Sequence, residues 1–328
     1  MLMTEHAAVI LLIALALDGI FGEPKWLWNR LPHPIVLMGR MIAATDQWLN
    51  RNDALPVNRR ARGIAALVFW ITAAASLGLA VTLAWQSSSL PGLVVVEIIL
   101  VAILLATRSL YEHADAVRSA FEKTGLAGAR TAVSMIVGRN PEKLDAPAVC
   151  RAGIESTAEN FSDGVVAPAF WYLVAGLPGI LAYKMINTAD SMVGHRTQRH
   201  IHFGWASARM DDLVNFVPSR LAGGLICLAA PFAGGSARNA ARSFWRDASR
   251  HRSPNAGWPE AAMAGALGLA LAGPRTYGNE TVADAWMNEG GRQEAIPADI
   301  TGALRLMVAA VLVMCLAIAG IAIMHNAA

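Results

Sequence analysis

No Asp, Glu, Lys or Arg lies between Arg62 and Glu97, and none follows Arg305. Apolar stretches of this length restrict the chain strongly, because about 20 such residues are what an α-helix needs to cross the hydrocarbon core of a bilayer. Inside hydrocarbon each backbone N–H and C=O must be paired by the segment itself or by protein, which leaves helices or closed barrels. No strand-rich stretch is present. The expected class is therefore all-α: a polytopic integral membrane protein with four to six transmembrane or re-entrant helices and helical cytoplasmic loops. Composition agrees, since 55% of the 328 residues are hydrophobic and only 16% charged, against about 25% charged in soluble domains.

The clearest spans are 6–21, 64–86, 92–107 and 305–325, within a single membrane-embedded domain. Two further runs, 165–186 and 213–233, are interrupted: Gly176-Leu177-Pro178-Gly179 breaks the first, and Pro231 with Gly234-Gly235 ends the second. With no Lys or Arg before Lys25, the first run reads as a retained membrane segment and not a signal peptide. Basic residues crowd the stretches after the first and third runs, while the turn between runs two and three has no charge. The positive-inside rule then places both large loops in the cytoplasm. The stretch 187–212 is also basic, so 165–186 is expected to enter and return at Pro178; two true spans are the alternative. A net charge of +3 gives no support for a nucleic-acid partner. Cys150, Cys227 and Cys315 are too scattered for a structural metal site and read as buried thiols.

Polar residues beside hydrocarbon are functional suspects, because they are costly to keep there. One cluster is Glu155, Glu159, Asn160 and Asp163, whose carboxylates recur every four residues and share a helix face. Three carboxylates on one face repel unless a cation intervenes, which suits Mg²⁺ with its hard oxygen ligands; pairing with Arg151 is the plain structural reading. The second cluster is Lys184, Asn187, Asp190, Ser191 and His195. Lys is a point-charge phosphate binder, although it can also snorkel at an interface. Arg196 and Arg199 follow as phosphate or substrate contacts, and Asp211-Asp212 as further metal candidates. His195, His200 and His202 match no zinc signature. Asn255 and Glu260, in a turn-rich loop ahead of a small-residue run, could reach a site or simply open a helix. Arg238, Arg242, Arg246 and Arg250 recur every four residues. They read as an interfacial helix on anionic lipid, or as a row attracting a phosphorylated substrate. No P-loop, dinucleotide fingerprint, nucleophile elbow or zincin motif is present.

The runs RAGIESTAENFSDGVVAPAFW, YKMINTADSMVGH, DDLVNFVPSRL and SPNAGWPEAAMAGALG, preceded by LDGIFGEP and LPHPIVLMGR, occur in that order. In them the chain resembles the adenosylcobinamide-phosphate synthase (CobD/CbiB) family of cobalamin-biosynthesis membrane proteins, from about Leu17 to Glu280. Glu23 and Asn140 stand where that family commonly has Asp. The resemblance implies ATP-dependent amide formation between adenosylcobyric acid, a corrinoid, and (R)-1-aminopropan-2-ol or its phosphate, with ATP and Mg²⁺ as cofactors. It implies a bacterial inner-membrane enzyme with a cytoplasmic site, alone, as a homo-oligomer or with other cobalamin-biosynthesis enzymes. On that reading Glu155, Asp163 and Asp190 hold Mg²⁺, Lys184 and Arg196 neutralise phosphate, Glu159 is a base for the amine, and Asn160 and Asn187 orient substrate or metal. The rival classes are a membrane-embedded Mg²⁺-dependent prenyl- or phosphatidyl-transferase and a non-enzymatic transporter or scaffold.

Overall fold

The computed structural model describes residues 6–51, 53–87, 92–137, 142–277 and 280–327. The expected all-α class is what the chain adopts. In chain order the helices are α1 (Ala7–Phe21), α2 (Lys25–Trp28), α3 (Pro34–Leu49), α4 (Pro56–Ser87), α5 (Gly92–Leu104), α6 (Thr107–Ser134), α7 (Ala146–Phe161), α8 (Ala167–Val193), α9 (Trp205–Val214), α10 (Phe216–Ala229), α11 (Ala237–Asp247), α12 (Gly257–Leu267) and α13 (Pro297–Ala327). A π-helical turn, Ser162–Val166, joins α7 to α8. Strands are minor: β1 (Leu271–Ala272) pairs antiparallel with β4 (Trp286–Met287), and β2 (Arg275–Tyr277) with β3 (Glu280–Val282). Among the described residues, five helical segments are long and apolar enough to cross a membrane: Pro56–Ser87, Val94–Ser134, Ala146–Val193, Phe216–Ala233 and Pro297–Met324. Helix α1, on the first apolar run, is shorter at 15 residues. Gly138, Arg139 and Asn140, and the Gly278-Asn279 pair near the end of the matched motifs, lie outside the described residues.

The chain divides into two compact units. The first comprises Met1–Ala106, Ala167–Asn215 and Ile321–Ala328. Here α1, α3, α4 and α5 pack on α8, and α9 packs on α4 and α8. His33 opens α3, its Nδ1 accepting the Ile35 N–H at 3.2 Å while Pro34 occupies the first turn. The break in α8 falls at Ala175 and Gly176, where Gly176 adopts φ 64°, two residues before Pro178. Proline lacks an N–H and its ring collides with the carbonyl four residues back, so the helix fails upstream of it. Helix α4 meets this break through Gly78, where a Cβ would lie 2.7 Å from the Pro178 nitrogen. Trp70 is fully buried beside Phe203, and the Arg60 guanidinium lies 3.5 Å from the Trp205 ring centre.

The second unit comprises Thr107–Val166 and Phe216–Gly320. Its helices α10, α11 and α12 approach closely because small residues line the contact. A side chain at Gly265 would run into the Asn239 carbonyl, and one at Gly223 would meet the Phe244 ring at 2.5 Å. Asp145 caps α7 through the Ala148 N–H at 2.8 Å, and Ser236 caps α11 through the Asn239 N–H at 3.2 Å. Gly268, with φ 68°, ends α12. Gly265→Ala is expected to destabilise the protein by about 1–3 kcal/mol through overpacking. Gly224→Ala, which meets nothing within 4 Å, is expected to be neutral or slightly stabilising. Thermal unfolding of both variants in detergent checks the contrast.

Candidate active site

In the first unit the second half of α8 and the face of α9 bring one sequence cluster together. Lys184 is buried at 5% exposure, and Asn187 and Asp190 follow it at helical spacing. Across from them Asp211 is partly buried on α9. Asn187 donates to Asp211 Oδ1 at 3.4 Å and Asn215 donates to Oδ2 at 3.0 Å. Tyr183 in turn donates its hydroxyl to Asn215 Oδ1 at 3.0 Å. Two amides thus hold one carboxylate, and a buried phenol holds one of the amides.

Several acidic and basic side chains meet here. Burial pushes the Asp211 carboxyl up to about 7; the negative charges of Asp190 and, less strongly, Asp212 add to the effect, against the two amide hydrogen bonds. Burial also raises Asp212, although Arg209, at 3.5 Å, and Arg196 oppose it. His195 stands within electrostatic reach of Asp190. Ser191 is exposed and gives its hydroxyl to the Asn187 carbonyl at 2.9 Å. His33 also belongs to this neighbourhood. Burial lowers its pKa, Glu23 works against that, and Lys184 adds to it.

Among the described residues no three His, Cys, Asp or Glu side chains form a group that could hold a metal ion unaided. Mg²⁺ asks for less, one or two carboxylates with water and phosphate completing the shell. Crowded, partly buried carboxylates flanked by amides are a fitting donor set for such an ion.

Arg199 has a different partner from the one its sequence suggested. Its Nε and Nη2 donate to Asp46 Oδ2 at 3.0 and 2.7 Å. Asn50 donates to Asp46 Oδ1 at 2.8 Å and to the Arg199 carbonyl at 2.9 Å, while Arg59 bonds the same carbonyl and Asn50 Oδ1. Burial opposes charge on Asp46, but the Asn50 and Arg199 hydrogen bonds and the charges of Arg199 and His200 hold its carboxyl below the ordinary range. This clamp ties the segment after α8 to α3 and α4, beside a cavity of about 370 Å³ that Gln47, Met192 and His200 help to line. Sequence reading missed Asp46, Asn50 and Arg59. The signal was the four-residue spacing of Asp46 and Asn50 at the end of an otherwise apolar helix.

The other candidates lie in the second unit. Glu155 is 5% exposed and accepts the Ala272 N–H at 2.8 Å. Ala272 has φ 58°, a left-handed conformation that its neighbours must hold. Glu159 and Asn160 are exposed, and Asn160 donates to the Ser156 carbonyl and hydroxyl at 2.9 and 3.0 Å. Asp163 sits in the π-helical turn, a feature often found at functional sites. Glu155 is thus buried and Glu159 exposed, four residues apart on the same helix. Asn255 accepts from Ser219 at 3.4 Å, and Glu260 lies 3.7 Å from His251; both are buried around the start of α12. Ser253 accepts the Asn255 and Ala256 N–H groups at 3.2 and 3.1 Å, which builds the turn before that helix. The sequence also gave no hint of the pairing between Tyr172 and Glu97, a 2.8 Å hydrogen bond between two buried side chains of the first unit.

A model of the CobD/Cbib protein family matches residues 11–307. A Rhizobium meliloti (strain 1021) relative named Cobalamin biosynthesis protein CobD is 49% identical over 98% of this chain and 98% of its own length. Proteins of the same name from Brucella suis biovar 1 and Rhodobacter capsulatus are 49% and 46% identical, over 92% and 97% of this chain and 93% and 98% of their own. No solved structure matches.

Two outcomes follow from the geometry. With Asp211 raised from its unfolded range to about 7, the folded state holds a proton that the unfolded chain releases. Stability of chelator-treated protein should therefore fall as pH rises from about 4 to about 7, and Asp211→Asn should flatten that fall in thermal unfolding across pH. Asp46→Ala leaves Arg199 without its carboxylate. Tryptic cleavage at Arg196 and Arg199 should accelerate about tenfold under native conditions, reflecting a local loss of about 1–3 kcal/mol.

Proposed function

The chain belongs to the CobD/Cbib protein family, and on that premise we propose that it acts in cobalamin biosynthesis as a membrane-embedded, ATP-dependent amide ligase. The proposed substrates are adenosylcobyric acid and (R)-1-aminopropan-2-ol or its phosphate, and the product is adenosylcobinamide or its phosphate. The names of the relatives support the pathway. The observation that carries the chemistry is the crowding of Asp190, Asp211 and Asp212 on α8 and α9, with Lys184 earlier on α8.

A carboxylate does not acylate an amine at neutral pH, because its oxygen is a poor leaving group. Transfer of the γ-phosphoryl group of ATP to the carboxylate gives an acyl phosphate and ADP. The amine then forms the C–N bond, phosphate leaves and one proton is released. Phosphoryl transfer asks a protein mainly for positioning and charge neutralisation. Bound Mg²⁺ would supply charge neutralisation at the phosphate oxygens, with Asp190 and Asp211 as its proposed holders. Asn187 and Asn215 orient the Asp211 carboxylate. Lys184 offers a buried ammonium for phosphate, and His195 and Arg196 offer exposed cationic or hydrogen-bonding groups after the end of α8. Glu155 is given a scaffold role through Ala272. The proposed location is the bacterial inner membrane with the site on the cytoplasmic side, where ATP is available.

Purified protein in detergent, given adenosylcobyric acid, the amino alcohol or its phosphate, ATP and Mg²⁺, should form the amide by mass spectrometry with one ADP per product. Asp190→Ala and Asp211→Asn should fold yet lose about 100-fold or more in turnover, and Asn215→Ala, which frees the carboxylate, about 10- to 100-fold. Absence of amide with intact protein, or full turnover in both aspartate variants, counts against the reading.

A further inference from the structure

Helix α11 has two faces of opposite character. Ala240, Ser243, Phe244 and Asp247 are buried, and the close contacts at Gly223 and Gly265 fix that face against α10 and α12. The other face carries Arg238, Arg242 and Trp245, spaced four and three residues apart and all exposed. The arginine row seen in the sequence is therefore two pairs with different duties. Arg246 and Arg250 are taken by Asp247, at 2.7 and 3.7 Å. The Arg246 hydrogen bonds, the Asn288 N–H and both guanidinium charges outweigh burial and hold the Asp247 carboxyl below its ordinary range. Among the described residues, no carboxylate pairs with Arg238 or Arg242.

Trp245 is 75% exposed, yet it is not loose. Phe244 and Trp258 meet its ring edge-on, with centroids at 4.9 and 6.2 Å. The apolar segment Phe216–Ala233 ends just before α11. It exposes Leu221, Leu228 and, at its end, Phe232 at 80%. Gly234, with φ 78°, turns the chain from that segment into α11. Exposed aliphatics, then a fixed indole, then two uncommitted guanidiniums follow one another along the chain. A bilayer presents the matching sequence of layers from hydrocarbon to headgroup.

We infer that the Arg238–Arg242–Trp245 face of α11 is a binding site for an anionic phospholipid headgroup, with α11 lying in the membrane interface. The two guanidiniums hold the lipid phosphate, and Trp245 and Phe232 rest against the glycerol and upper acyl region. A soluble phosphate would satisfy the arginines but leave both large apolar side chains in water, which favours the lipid. The inference is independent of the proposed ligase chemistry.

The full-length protein, placed in nanodiscs of phosphatidylcholine with or without phosphatidylglycerol, tests this by hydrogen exchange over 237–250. Native mass spectrometry of phosphatidylglycerol carried by the detergent-purified protein gives a second readout. Exchange should slow in the anionic discs, and a bound phosphatidylglycerol should survive millimolar ATP or inorganic phosphate. Arg238→Gln/Arg242→Gln should weaken that binding about 20-fold, at roughly fivefold per arginine, and Trp245→Ser should weaken it with both arginines present. Equal exchange in the two lipids, or lipid retention unchanged in the double variant, overturns the inference. Protection by ATP or phosphate in purely zwitterionic discs also overturns it and assigns the row to a soluble ligand.

Discussion

A carboxylate taken out of water must be compensated by charge or hydrogen bonds, and the compensation each one finds shapes the structure around it. Asp46 finds Arg199 and Asn50, and the result is a clamp that orders the segment following α8. Asp247 finds Arg246, Arg250 and the Asn288 N–H. Glu155 finds the N–H of Ala272 and so helps hold a left-handed residue in place. Asp190, Asp211 and Asp212 crowd one another: Asn187 and Asn215 hold Asp211, Arg209 lies 3.5 Å from Asp212, and burial still keeps Asp211 protonated to near neutrality. The first three carboxylates organise the fold. The last three share one crowded, partly buried patch on α8 and α9.

Close approach of backbones is the second determinant. Gly78 lets α4 reach the break in α8, and Gly265 lets α12 reach α11. In each case a single missing Cβ allows a helix to pack where side chains would hold it off. The consequence for function is local rigidity. α8 is anchored at its break, upstream of Lys184, Asn187 and Asp190, and α11 is anchored on one face, with Arg238 and Arg242 exposed on the other.

Much of this was legible in the chain, but unevenly. The helical class and the long apolar segments follow from the absence of charge over whole stretches. The Lys184–Asn187–Asp190 cluster was legible because one helix carries it, so sequence spacing is also spatial spacing. Asp211 was visible only as one of two adjacent acids; that it faces Asn187 and Asn215 depends on how α9 packs on α8. Glu155, Glu159 and Asp163 show what spacing leaves open. Helical periodicity puts them in line, and the structure adds what spacing does not tell: Glu155 is buried on the Ala272 N–H, Glu159 is exposed, and Asp163 falls in a π-helical turn. The arginine row of α11 is a second case, since Asp247 beside Arg246 removes half of it.

The sequence by itself determined what is paid locally: helices where no charge interrupts hydrocarbon, a break ahead of Pro178, and family membership through long ordered motifs. Only the tertiary structure decided which charges are spent on holding the fold and which remain for chemistry. Arg199 and Arg196 are near neighbours of the same type in the chain, yet Arg199 is claimed by Asp46, which lies far away in sequence, while Arg196 stands toward Asp212. Periodicity describes a helix and its own neighbours. Desolvation and charge pairing are set by whichever helix packs against it, and that partner lies beyond the reach of local pattern.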